Sequence, residues 1–315
     1  MPTRQLDNFT TFTVNQLHTS SSMLPSIIQT GLLQILQEKN GGSPALLDVR
    51  SVGGGCINDA QVVKTNQGWY FIKYNHGSLY PGMFEAEARG LKILEKADAV
   101  RVPQVIGTGI AGKYEFLMLE YLESGRQEKH FWEHFGRGLA GLHKHAAKQF
   151  GLDHDNYIGS LPQSNAFSNH WKDFFISQRI EPQLRLSRQS GKADSHLVSL
   201  FEQLFARLDA FFPQEPPALL HGDLWSGNYL PGPDGEAVII DPAVYYGHRY
   251  MDLGMTRLFG GFSPEFYMAY QEEYPLESHW KEGLEIANLY PLMVHLNLFG
   301  GGYPGSVRQV LKKYS

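Results

Sequence analysis

Apolar residues recur at helical spacing over Met23–Lys39, with Ile27, Ile28, Leu32, Leu33, Ile35 and Leu36 as the apolar set. Asn40-Gly41-Gly42 supplies a stop signal at its end. Leu46–Val52, Ala60–Lys64 and Trp69–Tyr74 then read as strands, separated by Gly-rich or Asn-Gln-Gly turns. Pro81–Lys96 reads as a helix, and Gln104–Ile110 and Tyr114–Tyr121 as two further strands. This stretch predicts a small five-stranded sheet with one inserted helix. From Gln127 the pattern turns helical, over Glu128–Lys148, Asn169–Gln189, Ser195–Phe212, His248–Phe259, Pro264–Glu273, Glu282–Phe299 and Ser306–Lys313. Two short strands, Tyr229–Leu230 and Ala237–Asp241, interrupt it, joined by the turn Pro231-Gly232-Pro233-Asp234-Gly235.

The composition shifts near Leu122–Gly125. The expected architecture is therefore α+β and bilobal: a polar extension over 1–22, a β-rich lobe over 23–122 and a mainly helical lobe over 123–315. The extension is rich in Thr, Ser, Asn and Gln, lacks the apolar core of a secretory signal, and reads as disordered. A hydrophobic content of 42% with 19% charged residues describes an ordinary globular chain. A net charge of -5 argues against a nucleic-acid partner, and no apolar run is long enough to span a bilayer. The single cysteine excludes an internal disulfide and fits a reducing, cytoplasmic setting.

The chemistry concentrates in His221-Gly222-Asp223-Leu224-Trp225-Ser226-Gly227-Asn228, followed by Ile239-Ile240-Asp241-Pro242. The form H-x-D-L-x-x-x-N before a strand ending in Asp is the layout of a kinase catalytic loop and its metal-binding aspartate. Phosphoryl transfer needs an acid facing the attacking hydroxyl and two oxygen ligands for Mg²⁺ on the phosphates. Asp223 fits the first role, and Asn228 and Asp241 the second. His221 reads as structural, Asp252 as a tie to the loop backbone, and Arg249 as similar. Pro242 biases Asp241 toward an extended backbone. The chain then enters its next helix at His248 with no long activation segment, which points to a small-molecule acceptor. Trp225 is either a core residue or an aromatic platform for a sugar face.

Upstream, Gly53-Gly54-Gly55-Cys56-Ile57-Asn58 lies between two strands. Such a loop lets backbone N–H groups approach phosphate, although a plain hairpin turn has the same composition. Gly53, Gly54, Gly55 and Asn58 are its candidate cofactor residues. Lys73 sits on an apolar strand where a phosphate-binding lysine belongs. In the following helix Glu87 shares a face with Phe84, Leu91 and Leu94, so it is an acid on the apolar side and needs a cation. Lys73 is the expected partner. The backbone of Glu120, Tyr121 and Leu122, leaving the last strand, is placed to bind an adenine edge.

His221–Asn228, Ile240–Arg249 (IDPAVYYGHR), Phe71–Tyr74 (FIKY), Gly53–Asn58 (GGGCIN) and His295–Tyr303 (HLNLFGGGY) together resemble the fructosamine-3-kinase or ketosamine-3-kinase family, relatives of aminoglycoside and choline kinases. The resemblance runs from about Met23 to Leu311. It implies a protein-kinase-like fold, use of ATP with Mg²⁺, and transfer to a sugar hydroxyl of a ketosamine such as a fructosamine or ribulosamine. The 3-hydroxyl is the one expected, and deglycation of amines or proteins the outcome. Another small-molecule kinase of the superfamily, or a pseudokinase-like regulator, is the alternative. The family carries Glu after His-Arg, where this chain has Tyr250; the departure predicts an effect on stability, not on catalysis. By the same resemblance Cys56 is a redox candidate, so the chain is expected as a monomer or as a homodimer linked through Cys56 under oxidation.

Overall fold

The computed structural model describes residues 24–52 and 57–314. The extension, Gly53, Gly54, Gly55 and Cys56 lie outside the described residues. In chain order the first part holds α1 (Ser26–Asn40), β1 (Leu46–Ser51), β2 (Asp59–Thr65), β3 (Gly68–His76), α2 (Met83–Ala97), β4 (Val105–Ala111) and β5 (Tyr114–Glu120). The second part holds α3 (Phe131–His143), β6 (Asn156–Ile158), β7 (Leu161–Gln163), α4 (Trp171–Phe174), a π-helical stretch (Phe175–Ile180), α5 (Glu181–Gln189) and α6 (Ser195–Phe205). It continues through a short turn of helix (Leu208–Ala210), β8 (Ala218–Leu220), β9 (Tyr229–Pro231), β10 (Ala237–Ile239), β11 (Tyr245–Gly247), α7 (Tyr250–Leu258), α8 (Pro264–Glu273), α9 (Trp280–Ala287), α10 (Leu289–Phe299) and α11 (Tyr303–Tyr314). The fold is the expected α+β, protein-kinase-like one.

The first five strands form one antiparallel sheet in the order β1-β2-β3-β5-β4. Side chains alternate across it. Tyr70, Ile72 and Tyr74 of β3, with Phe116 and Met118 of β5, pack with Ile28, Leu32 and Leu36 of α1. Phe71 of β3 and Leu117 and Leu119 of β5 face the other way, toward Phe84, Ala88, Leu91 and Leu94 of α2. Parity therefore places Lys73 on the α2 face. That face joins the large core of the helical part, whereas the α1 face has a core of its own. No helix among the described residues is long and apolar enough to cross a membrane.

The helical half departs from the periodic reading at identifiable points. Glu128–Lys148 is helical only over Phe131–His143, because the chain beyond bonds instead to the β8 region: Ala147 N–H to Pro217 C=O (3.0 Å) and Leu219 N–H to His145 C=O (2.9 Å). Ser195–Phe212 stays α-helical only to Phe205. Asn169–Gln189 carries the π-helical stretch just before Pro182, and Glu282–Phe299 breaks at Asn288, three residues before Pro291. Each proline lacks the N–H that an unbroken helix would donate. The strand expected through Asp241 ends at Ile239. Strands β6, β7, β8 and β11, three residues each, are too short to show a period.

Candidate active site

The fully buried strand β8 delivers the chain into His221, itself completely buried. Its Nε2–H donates to the Ile240 carbonyl (2.9 Å), and its Nδ1 accepts from the Asp223 N–H (3.2 Å). Burial pushes the imidazole pKa down, so a neutral ring pins the loop to the end of β10. Asp252, in the first turn of α7, accepts from the His221 and Gly222 N–H groups at 2.8 Å each and faces His143 Nε2 at 3.2 Å. Burial pushes its carboxyl up, but the hydrogen bond from His143, the nearby imidazoles and the Gly222 N–H outweigh that and hold it below its ordinary value. Asp252 therefore ties the loop as read, while His143, its buried support, carries no motif. Arg249 does not reach the loop. It grips Glu215 through Nε (2.7 Å) and Nη2 (2.6 Å).

Gly222 has φ +86, and a Cβ there would lie 2.0 Å from the Ala243 carbonyl oxygen. Gly227 is required for another reason: a Cβ would meet the Trp225 ring at 2.3 Å. Trp225 is half-buried and meets Phe259 edge-on at 6.0 Å between centroids. His295 (4.6 Å from Phe259) and Tyr303 (5.2 Å from His295) extend this aromatic wall.

Asp223 and Asn228 are joined directly: Asn228 Nδ2 donates to the Asp223 carbonyl (2.8 Å) and to Asp223 Oδ2 (3.0 Å). That orientation leaves Asn228 Oδ1 as an acceptor. Burial pushes the Asp223 carboxyl well above its ordinary value; the Asn228 hydrogen bond opposes this, and the charges of Asp241 and Asp252 add to it. The Ile240 N–H donates to the Asn228 carbonyl (3.0 Å), so the loop and the segment bearing Asp241 are fastened together.

Lys73 Nζ donates to both Glu87 oxygens (2.8 and 2.9 Å) and to Asp241 Oδ1 (3.1 Å). The partner inferred from helix periodicity is the one observed. Burial works against the Lys73 ammonium, but the charges of Asp241 and Glu87 outweigh it and push its pKa up. Asp241 corrects one expectation: its φ is +55, left-handed rather than extended. Asp tolerates this region better than most residues, and the surrounding hydrogen bonds override the preference that Pro242 imposes. Its side chain stays 46% exposed, so Lys73 does not use it up. Asn228 Oδ1 and the Asp241 carboxylate are hard oxygen donors of the kind an octahedral Mg²⁺ takes.

Asn58 accepts from Asn75 Nδ2 (2.8 Å) and its Nδ2 donates to Met83 Sδ (3.7 Å), so its side chain is held between β3 and the start of α2. The Glu120 N–H is spent on the Gln104 carbonyl (2.8 Å), and its carboxylate faces Arg101 (3.4 Å) and the Gln104 N–H (3.2 Å). Tyr121 and Leu122, half-buried beyond the end of β5, make no backbone hydrogen bond to the described residues. An open hollow of about 610 Å³, lined by Phe150, Trp171, Lys172, Asp209 and Phe212, contains none of these groups.

Residues 29–315 match the sequence family described as fructosamine kinase. The chain belongs to the fructosamine kinase family. It is 39% identical over 286 residues to a probable ketoamine kinase of Synechocystis sp., covering 90% of this chain and 95% of that one. It is 38% identical over 281 residues to the chloroplastic protein-ribulosamine 3-kinase of Oryza sativa subsp. indica, covering 87% and 80%. A solved structure of a candidate fructosamine-3-kinase from Thermobifida fusca superposes with a TM-score of 0.80 at 34% identity, covering 89% of this chain and 97% of the other. The chain is thus a phosphotransferase whose acceptor is the sugar hydroxyl of a ketosamine.

Proposed function

We propose that this chain transfers the γ-phosphoryl group of MgATP to the 3-hydroxyl of an amine-linked ketose, with the roles divided as follows. Asp223 faces the acceptor hydroxyl and takes its proton as the oxygen attacks phosphorus. The bond from phosphorus to the bridging oxygen of ATP breaks, and its electron pair leaves with ADP. A carboxyl lifted by burial suits this proton transfer better than an ordinary one. Asn228 and Asp241 hold Mg²⁺, which when bound neutralises charge on the phosphates. Lys73, aimed by Glu87, contacts the α and β phosphates. The backbone of Glu120–Leu122 binds adenine through its free groups at Tyr121 and Leu122, and the phosphates are taken by the Gly53–Gly55 backbone N–H groups together with Asn58. Trp225 offers its ring to the sugar. The single observation that carries the reading is Lys73 held between Glu87 and Asp241, beside a loop in which Asp223 and Asn228 are bonded to each other.

The single cysteine supports a cytoplasmic location. A dimer linked through Cys56 would appear on a non-reducing gel after peroxide. The decisive experiment supplies purified enzyme with MgATP and ribulosamine, fructosamine or aminoglycoside acceptors, and locates the new phosphate by NMR. Phosphate on the ketose 3-oxygen is expected. ATP consumption with aminoglycosides alone would reject the reading.

A further inference from the structure

Arg179 is fully buried, yet its hydrogen-bond partners are all neutral. They are the carbonyls of Ser164 (2.6 Å) and Gln178 (3.1 Å) and Asn165 Oδ1 (2.7 Å). The guanidinium also lies 3.9 Å from the Tyr245 ring centre. A buried cation without a carboxylate beside it is costly, so its retention needs a reason. Local sequence explains how it comes to be there. Pro182 denies the Gln178 carbonyl its helical donor, and the Arg179 side chain covers that oxygen.

Guanidinium only donates. Asn165 must therefore present its oxygen to Arg179, which leaves its Nδ2 to donate to Asn156 Oδ1 (3.2 Å) and the His154 carbonyl (3.1 Å). With Asn156 Oδ1 occupied, and accepting also from Gln163 Nε2 (2.8 Å), the Asn156 Nδ2 donates to the Val244 carbonyl (2.8 Å). Gln163 Nε2 reaches the Ala243 carbonyl (3.2 Å), and its Oε1 accepts from the Tyr290 hydroxyl (2.7 Å). Asn165, Asn156 and Gln163 are all buried. The chain of amides thus has one direction, in which every NH2 also meets a backbone carbonyl, that of His154, Val244 or Ala243, and it runs from Arg179 to two carbonyls just past Asp241-Pro242. From the other side the Ala243 N–H donates to the His221 carbonyl (2.9 Å). Asp241, at φ +55, sits in the segment so clamped. A strained backbone persists only where its surroundings over-determine it.

We propose that Arg179 is a positioning residue for the phosphoryl-transfer centre: it anchors the far end of the Asn165–Asn156–Gln163 relay, which holds Asp241 where its carboxylate takes a divalent cation. This rests on the metal role given to Asp241 above. The test uses Asn165→Asp, which hands Arg179 a carboxylate while removing the donor to Asn156. Mn²⁺ binding to the full chain with AMP-PNP is followed by EPR, alongside thermal unfolding and steady-state kinetics. Asn165→Asp gives Arg179 a carboxylate but sets its second oxygen against the His154 carbonyl and Asn156 Oδ1, so it should fold with a lowered unfolding midpoint, bind Mn²⁺ about tenfold more weakly and lose kcat, with KM for the ketosamine unchanged. Arg179→Lys, another obligate donor, should keep most of the Mn²⁺ affinity, and Arg179→Met should lose it. Asn165→Asp with parental Mn²⁺ affinity and kcat overturns the relay. Asp241→Asn binding Mn²⁺ like the parent overturns the metal reading itself, and the relay's purpose with it.

Discussion

Two buried ion pairs divide this molecule. Arg249 and Glu215 are closed: one guanidinium edge, Nε and Nη2, meets both carboxylate oxygens, the Tyr274 and Pro275 carbonyls accept from Nη1 and Nη2 at 2.9 and 2.8 Å, and Tyr274 stacks at 3.8 Å. Lys73 is open by contrast. One ammonium serves two acids, and the Asp241 side chain keeps 46% of its surface exposed. A pair with both partners largely buried and both carboxylate oxygens held by one guanidinium can only hold structure. A cation that divides its protons between two acids, one of them still half-exposed, can exchange that partner at less cost.

The largest test of that contrast lies beside the open pair. Asp223→Asn should lower kcat about a thousand-fold in a folded protein. A smaller loss would leave Asp223 only an orienting role. Lys73→Met should reduce kcat/KM for ATP by a few hundred-fold while barely moving the unfolding midpoint, because the buried Glu87 can take up a proton. Arg249→Met should behave oppositely, costing about 3 kcal/mol of stability with kcat of the folded fraction unchanged. If the two variants show the same profile, the division into open and closed pairs is wrong.

The closed region also has its own pH response. His248 donates through Nε2 to the Pro213 carbonyl (3.1 Å) among aromatic rings, and burial pushes its pKa from 6.5 down to about 4. The unfolded chain takes up a proton first as pH falls. Stability present above pH 6.5 is therefore lost toward pH 4 by up to about 3 kcal/mol, measurable by urea unfolding, and His248→Gln should flatten that slope. The smallest effect returns to the open region. The Asp223 carboxyl is raised in the fold, so its ionised form costs stability as pH climbs above the ordinary value of 3.8. Asp223→Asn should be more stable than the parent at neutral pH, with the difference vanishing below that value.

Much of this was legible before any coordinates. Glu87 on the apolar face of α2 demanded a cation, and strand parity in β3 puts Lys73 opposite it. The order of Asp223, Asn228 and Asp241 announced the chemistry. The helical half was harder, because bonds to distant groups, such as the Leu219 N–H to the His145 carbonyl, end helices that the periodicity would continue. Nor does periodicity reveal that Gly227 makes room for the Trp225 ring, since that contact is a matter of how one loop folds on itself.

The chain alone determined the sheet and the helix faces, and singled out the candidate reacting groups, because spacing along a strand or helix dictates which side chains share a face. Only the tertiary structure decided the left-handed backbone of Asp241, the burial of Arg179 and the direction of the amides between them. Those depend on which donor meets which acceptor across tens of residues, and a hydrogen bond of that kind leaves no local pattern to read.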